Sequence, residues 1–249
     1  LLTNDDGITS PGLAAARAEL SRLGSVVVVA PDSERSAVGH AITILSPLRV
    51  KRVSMGRGKT GYAVAGMPAD CVKLAVGSLL KKPVDIVVSG INLGPNTGTN
   101  IIYSGTVSAA TEARILGIPA IAVSIGTFDH PRWGPAARLA RRVAEAVLEH
   151  GLPEKVLLNV NVPNLPLGKM RGIRITRMGQ SGYVDQFNPS AASGDGATYS
   201  LVSRYQPSDT DEATDGAALE AGWTTITPVT FDLTAHAALA DVAAWRLSL

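Results

Sequence analysis

The sequence contains a single cysteine, Cys71, among its 249 residues. One cysteine excludes an internal disulfide framework and a cluster of thiolate metal ligands, and it is typical of proteins in a reducing compartment. The sequence also lacks an apolar run of about 18 residues, the length that a membrane-spanning helix requires. We therefore expect a cytoplasmic protein with no membrane partner.

Charged residues of either sign are scarce. Asp, Glu, Lys and Arg make up 18% of the residues, compared with roughly 25% in an ordinary soluble domain. The 23 basic and 21 acidic residues leave a formal net charge of +2. Because this charge is small and dispersed along the chain, it argues against binding to a nucleic acid polymer. The expected partners are small molecules or other protein subunits.

Two patterns of cofactor-binding proteins are also missing. No Gly-x-Gly-x-x-Gly fingerprint follows the first apolar segment, which argues against a dehydrogenase that binds a dinucleotide. The four histidines show no zinc-binding spacing such as His-x-x-x-His. His40 lies in a polar loop that could approach a site formed by other loops, so a role for it stays open.

The chain does contain a regular alternation of apolar runs and helical patterns. Residues 26–30 and 84–88 are continuous runs rich in β-branched side chains, which is typical of strands covered on both faces. Ser10 followed by Pro11 predicts the start of a helix. Further strands are predicted at 48–53, 62–65, 119–123, 156–162 and 222–229, and helices at 11–23, 68–80, 106–116, 136–150 and 234–247. This alternation predicts an α/β fold in which helices flank a mostly parallel sheet.

The last third of the chain differs from the rest in residue composition and pattern. Residues 171–206 mix short β-like pieces with Gly, Ser and Asn, which predicts a β-hairpin or protruding arm. We expect a single domain, 1–249, with its core at about 1–165 and 222–232. We expect an arm at about 171–210 and a closing helix within 234–249 to serve in oligomerisation.

Two adjacent carboxylates, Asp5 and Asp6, follow the first apolar segment. In an open α/β sheet, ligands bind at the carboxyl ends of the strands. Two neighbouring carboxylates repel each other unless a cation or hydrogen-bond donors offset their charge. Mg²⁺, Mn²⁺ and Ca²⁺ prefer such oxygen ligands. Because Asn-Asp-Asp-Gly is equally good turn chemistry, other stretches must decide between a turn and a metal site.

Polar loops follow two further predicted strands. Ser36 lies in the loop after 26–30, and Asn92 and Asn96 lie in a glycine-rich loop after 84–88. Glycines let the backbone approach a ligand closely, and the Asn side chains provide neutral amides. Read singly, Ser36 and the Asn residues are also ordinary turn formers.

Ser104, Gly105 and Thr106 form the predicted entry to a helix. Their hydroxyls and free backbone N–H groups are suited to a phosphate, although Ser104 and Thr106 read singly are plain helix N-caps. The joint placement of three polar stretches after successive apolar segments favours a metal and phosphate site.

Several motifs, in order along nearly the whole chain, resemble the SurE (stationary-phase survival protein) family of metal-dependent 5'/3'-nucleotidases. They are Asn4-Asp5-Asp6-Gly7, Ser36-Ala37-Val38-Gly39-His40-Ala41-Ile42-Thr43, Pro68-Ala69-Asp70-Cys71, Ser89-Gly90-Ile91-Asn92 with Gly94 and Asn96, Tyr103-Ser104-Gly105-Thr106-Val107, and Leu158-Asn159-Val160-Asn161-Val162-Pro163. Asp209-Thr210-Asp211 and Ile226-Thr227-Pro228 extend the likeness into the last third.

The resemblance implies a Rossmann-like fold and hydrolysis of nucleoside 5'-monophosphates to nucleoside and phosphate, extending in some members to 3'-monophosphates or short polyphosphate. It implies one divalent cation per subunit, Mg²⁺ or Mn²⁺ with Ca²⁺ as a substitute in crystals, and a homodimer or homotetramer. By motif, the metal ligands would be Asp5, Asp6, Ser36 and Asn92. The phosphate would be held by Asn96, Ser104, Gly105 and Thr106.

This chemistry suits a phosphate monoester, a dianion whose hydrolysis needs its charge neutralised while a nucleophile is held in line. We expect Asp5 or Asp6 to take the proton of an attacking water, and direct attack by one of these carboxylates is the alternative. The second function considered is a non-catalytic nucleotide- or metal-binding protein on the same scaffold, since a fold does not dictate chemistry.

Overall fold

A central sheet organises the computed structural model, which describes residues 1–56, 58–180, 182–193, 196–206 and 210–247. In chain order the strands are β1 (Leu2–Thr3), β2 (Val29–Pro31), β3 (Val50–Ser54), β4 (Thr60–Val64), β5 (Val87–Leu93), β6 (Ala120–Gly126), β7 (Val156–Pro163), β8 (Gly172–Ile175), β9 (Gly182–Ser193), β10 (Gly196–Gln206) and β11 (Trp223–Thr230). The helices are α1 (Pro11–Leu20), α2 (Pro68–Leu74), α3 (Asn100–Tyr103), α4 (Gly105–Ile115), α5 (Trp133–His150), α6 (Asp215–Glu220) and α7 (Leu239–Ala243).

The sheet is mostly parallel, as predicted. Its spatial order is β1, β5, β6, β7, β11 and β8. The first four strands run parallel to one another, while β11 pairs antiparallel with β7 and parallel with β8. A second sheet, β2, β4 and β3, lies beside β1, where Leu2 pairs with Val28. The carboxyl ends of β1, β2, β5 and β6 therefore face the same edge.

Helices cover both faces of the sheet. Along β6, Val123 faces a core that contains Leu13 of α1 and Leu139 of α5. The neighbouring Ala122 faces the opposite core, which contains Val107 of α4. Burial on both faces explains why the strand sequences are continuous apolar runs rather than alternating patterns. The α/β fold with a mostly parallel sheet and flanking helices is confirmed.

Most helices and strands lie within a few residues of the bounds predicted from local sequence patterns. Ser10 caps α1 by accepting a hydrogen bond from the N–H of Leu13 at 3.2 Å. The predicted pair at 48–53 and 62–65 forms the hairpin of β3 and β4, although its turn residue Arg57 lies outside the described residues. The helix predicted at 68–80 consists of α2, which ends at Leu74, and a π-helical turn that follows it directly, Ala75–Leu79.

One strand was misplaced. The strand predicted at 84–88 begins at Val87 and continues to Leu93, so the Ser89 to Asn92 motif lies inside β5 rather than after it. Gly90 makes this continuation feasible, because a Cβ atom there would come within 2.2 Å of the carbonyl oxygen of Val123. The pairing with β6 is irregular between Gly90 and Asn92, which turns the end of the strand into the site loop.

The closing helix is shorter than predicted. In place of a helix at 234–247 the chain forms a 3-10 turn, His236–Ala238, and the short α7. The exposed Leu239, Val242 and Trp245 pack against no core within the described chain. An isolated helix of this length is marginal in water, because helix stability in proteins comes mainly from packing.

The predicted arm is an antiparallel hairpin. β9 and β10 pair along their lengths, with a register shift between Thr198 and Tyr199. The motif residue Asp209 and parts of the ranges proposed for the arm and terminal segment (181, 194–195, 207–209 and 248–249) lie outside the described residues. Within the described chain, no helix has the length and apolarity needed to cross a bilayer.

Candidate active site

Five of the eight predicted site residues line one cavity at the carboxyl edge of the sheet, and the other three, Asp6, Gly105 and Thr106, adjoin them in the chain. The cavity has a volume of about 540 Å³, and its lining includes Asp5, Ser36, Asn92, Asn96 and Ser104. These residues come from the loops after β1 and β2, from the end of β5 and the loop that follows it, and from the start of α4. The convergence expected from the sequence is therefore present in the fold.

Asp5 is buried and held rigidly from α4. Its Oδ2 accepts the backbone N–H of Thr106 at 2.9 Å, and its Oδ1 accepts the Thr106 hydroxyl. Gly105 allows this close approach, because a Cβ atom there would lie 2.8 Å from the Cβ of Asp5. Burial raises the pKa of the Asp5 carboxyl although the Thr106 hydrogen bonds oppose the rise.

Asp6 is linked to the end of β5. Its Oδ2 accepts a hydrogen bond from the N–H of Leu93 at 3.3 Å, which places Asp6 beside Asn92. Burial, followed by the charge of Asp5, raises the pKa of Asp6 to about 7. Glu34 adds a smaller repulsion to both carboxyls. Sequence reasoning did not assign Glu34 a role, although its position two residues before Ser36 was a usable signal.

The wall of the cavity contains no cationic side chain, because there is no Lys or Arg among the described residues that line it. The carboxylates of Asp5 and Asp6 therefore lack a cationic side chain in the cavity wall, which is the situation that a bound dication would relieve.

Ser36 lies at the rim of the cavity and is exposed. Its hydroxyl donates a hydrogen bond to Oε1 of Glu34 at 2.6 Å. The loop reaches the acidic pair through the N–H of Arg35, which donates to the Asp5 carbonyl at 2.8 Å. Ser36 therefore directly follows a residue, Arg35, that is hydrogen-bonded to Asp5. The Ser36 hydroxyl oxygen still has lone pairs with which it can accept a hydrogen bond or bind a cation.

Buried carboxylates anchor the far part of the Ser36 loop. Nε2 of His40 lies 2.9 Å from Oε2 of Glu112 on α4, and Nζ of Lys73 donates to the other Glu112 oxygen at 2.9 Å. Asp70 accepts the N–H of Thr43 at 2.9 Å and the Thr43 hydroxyl at 2.6 Å. His40 therefore acts on the site through the loop that carries Ser36, and it does not line the cavity.

Asn92 presents an oxygen. Its side-chain N–H groups donate to the carbonyls of Leu93 at 3.3 Å and Gly94 at 2.7 Å. These donations identify the nitrogen of the amide and leave Oδ1 without a hydrogen bond from any described residue. An amide oxygen on the cavity wall beside two carboxylates is a suitable ligand for a hard cation.

Asn96 is clamped by asparagines of β7. Its N–H donates to Oδ1 of Asn161 at 2.8 Å, and its carbonyl accepts from Asn159 at 2.8 Å and from Asn161 at 3.0 Å. Its own amide donates to the hydroxyl of Ser124 at 2.8 Å. The alternation of Asn159 and Asn161, which places both on one face of a strand, was the signal that could have assigned them this role.

Asp215 is a buried supporting residue that sequence reasoning missed. Its carboxylate accepts backbone N–H groups from Gly98 at 3.0 Å, Gly179 at 2.9 Å and Gly216 at 2.9 Å. Gly98 belongs to the glycine-rich loop after β5, so Asp215 fixes that loop from the start of α6. Burial raises the pKa of the Asp215 carboxyl.

Ser104 and Thr106 have structural partners. Ser104 caps α4, because its Oγ accepts the N–H of Val107 at 3.1 Å. The hydroxyl and the N–H of Thr106 both donate to Asp5. The local N-cap interpretation is therefore correct for Ser104, and direct phosphate contacts by Asn96, Ser104, Gly105 and Thr106 stay predictions.

Comparison with known proteins gives a consistent relationship. Residues 1–185 match the family model described as survival protein SurE. The chain is 46% identical to the 5'-nucleotidase SurE of Syntrophus aciditrophicus, with 96% of this chain and 90% of the relative covered. It is 46% identical to the 5'-nucleotidase SurE of Carboxydothermus hydrogenoformans, with 100% of this chain and 96% of the relative covered.

A solved structure agrees. The crystal structure of the SurE protein from Aquifex aeolicus superimposes with a TM-score of 0.87 at 39% identity, and the match covers 99% of this chain and 98% of that chain. The family model spans most of the chain, and the relatives and the solved structure match it over nearly their full lengths. The chain therefore belongs to the SurE family.

Proposed function

We propose that this chain is a phosphomonoesterase that hydrolyses nucleoside 5'-monophosphates to nucleoside and phosphate with the help of a divalent cation. The observation that carries the proposal is the cavity in which Asp5 meets Asn92 and the start of α4, without a Lys or Arg among the described lining residues. Asp6 adjoins this cavity through its hydrogen bond from the N–H of Leu93, which is a lining residue. The relatives named 5'-nucleotidase SurE support the substrate class. Nucleoside 3'-monophosphates and short polyphosphate are further substrates to examine.

The residues present fit a hard dication. Asp5 and Asp6 provide carboxylate oxygens, Asn92 an amide oxygen and Ser36 a hydroxyl, which is the ligand chemistry that Mg²⁺ and Mn²⁺ accept. Burial raises the pKa of both carboxyls, and the charge of Asp5 raises that of Asp6 further, so without a cation the site disfavours two ionised carboxylates. We assign one Mg²⁺ or Mn²⁺ ion per subunit to these four residues, with Ca²⁺ as a substitute in crystals.

Asp5, Asp6 and the start of α4 have different roles in the proposed reaction. When bound, a divalent cation supplies Lewis-acid polarisation of a phosphate oxygen and lowers the pKa of water. Thr106 donates a hydrogen bond to each Asp5 oxygen, which fixes the carboxylate in place while each oxygen keeps a lone pair for the cation. Among the described residues only the N–H of Leu93 donates to Asp6, on Oδ2, so Oδ1 of Asp6 is the better placed acceptor for the proton of the attacking water. The positive end of the α4 dipole, at the cavity wall, favours an anionic phosphate.

A non-catalytic nucleotide- or metal-binding protein is the second candidate, and the family relationship does not favour it. Self-association as a dimer or tetramer is part of the proposal. It is supported by the exposed apolar side chains Val184, Phe187 and Tyr199 on the β9–β10 arm. A cytoplasmic location is also part of it and is supported by the buried, unpaired Cys71.

The proposed function is tested by measuring phosphate release from adenosine 5'-monophosphate in the presence of Mn²⁺ or of EDTA. The wild-type protein should release phosphate only with Mn²⁺. Asp5→Asn should lose nearly all activity while keeping the fold, and the exposed Asp241→Asn on α7 should behave as wild type. Equal release under all conditions would end the enzymatic interpretation.

A further inference from the structure

Two exposed aromatic side chains share the cavity with Asp5. Tyr103 and Phe128 are each 63% exposed, and both line the cavity that contains Asp5, Ser36 and Asn92. Aromatic residues form only 4% of the chain. Placing two of them, largely uncovered, in the wall of a polar site therefore requires an explanation beyond core packing.

Phe128 is held firmly although its ring is exposed. It lies in a turn after β6, in which the Thr127 hydroxyl donates to the Asp129 carbonyl at 2.7 Å and accepts the Asp129 N–H at 3.1 Å. A Cβ atom on Gly94 would come within 2.1 Å of the Phe128 ring. The ring therefore rests against the backbone of Gly94 in the loop that follows β5, and the ring is otherwise largely uncovered.

The backbone of Tyr103 is fixed between α3 and α4 and is hydrogen-bonded to the loop that carries Ser36. It ends α3 and directly precedes Ser104, the N-cap of α4. Its carbonyl accepts the N–H of Gly39 at 2.9 Å, so its backbone is joined to the loop that carries Ser36. The phenol ring is thus positioned by two of the segments that form the cavity.

We propose that Phe128 and Tyr103 form the nucleobase subsite, an aromatic surface on which the base of the nucleotide stacks. This inference rests on the proposed function, because the base is tethered through its ribose to the phosphate, which that function places between the cation and the start of α4. A cavity of about 540 Å³ falls within the range of small-molecule sites. Stacking accepts any planar base, so this subsite accepts all nucleobases and binds purines more tightly than pyrimidines because their faces are larger.

The subsite is tested by comparing adenosine 5'-monophosphate with ribose 5-phosphate, which has the same phosphate and sugar but no base. With Mn²⁺ present, Phe128→Ala should raise the KM for adenosine 5'-monophosphate about 10-fold, as expected for loss of one stacking contact. Its KM for ribose 5-phosphate should stay within about 2-fold of wild type, and kcat should change little for either, because stacking is equal in ground and transition states.

Matched variants sharpen the comparison. Tyr103→Ala should act as Phe128→Ala does, while Tyr103→Phe and Phe128→Tyr keep a ring and should retain the wild-type KM. Phe231→Ala removes a phenylalanine that does not line the cavity and should leave both KM values unchanged. An equal rise of KM for both substrates, or no rise for either, would overturn the subsite.

Two other outcomes are informative. If the mass of Phe128→Ala by light scattering falls while both KM values stay constant, the ring is an intersubunit contact and the inference is wrong. If the wild-type protein hydrolyses neither substrate, the proposed function fails, and calorimetric titration then decides the subsite. The wild type must bind adenosine 5'-monophosphate more tightly than ribose 5-phosphate, and Phe128→Ala must abolish that difference.

Discussion

Thr106 donates hydrogen bonds to both carboxylate oxygens of Asp5, one from its hydroxyl and one from its backbone N–H at 2.9 Å. The first residue of the acidic pair is therefore oriented by the first turn of α4. This relationship links the amino-terminal turn to a helix about a hundred residues later in the chain.

The Thr106 hydroxyl is expected to act through Asp5. Thr106→Val removes the hydroxyl but keeps the backbone N–H, so kcat/KM should fall roughly 10- to 100-fold, which corresponds to one hydrogen bond to a charged group. The affinity for Mn²⁺, measured by calorimetry, should fall as well, and Thr106→Ser should restore both. Lower activity with unchanged Mn²⁺ affinity would instead indicate a direct contact with phosphate.

The metal-free protein should become less stable as the pH rises from about 4 to about 7. Burial and neighbouring charge raise the pKa of Asp6 to about 7, and burial raises that of Asp5, whereas unfolded Asp titrates near about 3.9. In this window the folded state binds more protons than the unfolded state, so the free energy of unfolding falls as protons leave. Thermal unfolding in EDTA should show a Tm that decreases by several degrees.

Two comparisons control this experiment. Asp6→Asn should flatten the dependence of Tm on pH, because it removes the group with the highest pKa of the pair. Added Mn²⁺ should raise Tm more at about pH 8 than at about pH 5, since protons compete with the cation for the carboxylates. A Tm that rises with pH in EDTA, or an unchanged slope in Asp6→Asn, would show that the pair is not responsible.

Asp215 should matter for stability more than for chemistry. Asp215→Ala leaves the backbone N–H groups of Gly98, Gly179 and Gly216 without their acceptor, and the free energy of unfolding should fall by about 3 kcal/mol or more. Asp215→Asn keeps one acceptor oxygen and should cost less. Chemical denaturation measures both, with the exposed Asp241→Ala as the control; a loss below about 1 kcal/mol in Asp215→Ala would contradict the bonding described.

Glu112 should hold the Ser36 loop through His40. Glu112→Ala removes the partner of His40 and Lys73 and should lower the free energy of unfolding by about 1 to 2 kcal/mol, a modest value because Lys73 is half-exposed. Because this loop carries Ser36, kcat/KM should also fall several-fold. Although burial alone raises the pKa of Glu112, the hydrogen bonds from His40 and Lys73 leave that pKa below its ordinary value.

The control for this variant is Glu149→Ala, whose exposed carboxylate lies 3.9 Å from His150 at the end of α5. It should change neither stability nor activity. If Glu112→Ala alters stability but leaves kcat/KM at the wild-type value, the loop does not depend on this anchor for placing Ser36.

The convergence of Asp5, Ser36 and Asn92 on one cavity could be predicted from the sequence because the signals of these residues are local. Asp5, Ser36 and Asn92 each stand in a polar stretch at or just after an apolar run, and the parallel sheet brings those stretches to one edge. The supporting residues could not be found in this way. Asp215 lies 117 residues from Gly98, and only the tertiary fold shows that the two are hydrogen-bonded.

The elements that were misplaced have a physical reason as well. The pattern of residues 234–247 predicts a helix, but Leu239 and Val242 are exposed in the structure and provide little packing energy. Conversely, Ser89 and Gly90 suggested a loop after a strand, whereas the missing side chain of Gly90 lets β5 continue against Val123. In both cases the contacts between elements outweighed local preference.

The most direct test of the central claim is the position of Mn²⁺ in a crystal of the protein grown or soaked with that ion, located by anomalous scattering. We expect one peak per subunit, within coordination distance of oxygens from Asp5, Asp6, Ser36 and Asn92. A peak at other residues, or no peak at this cavity while Mn²⁺ supports phosphate release, would contradict it.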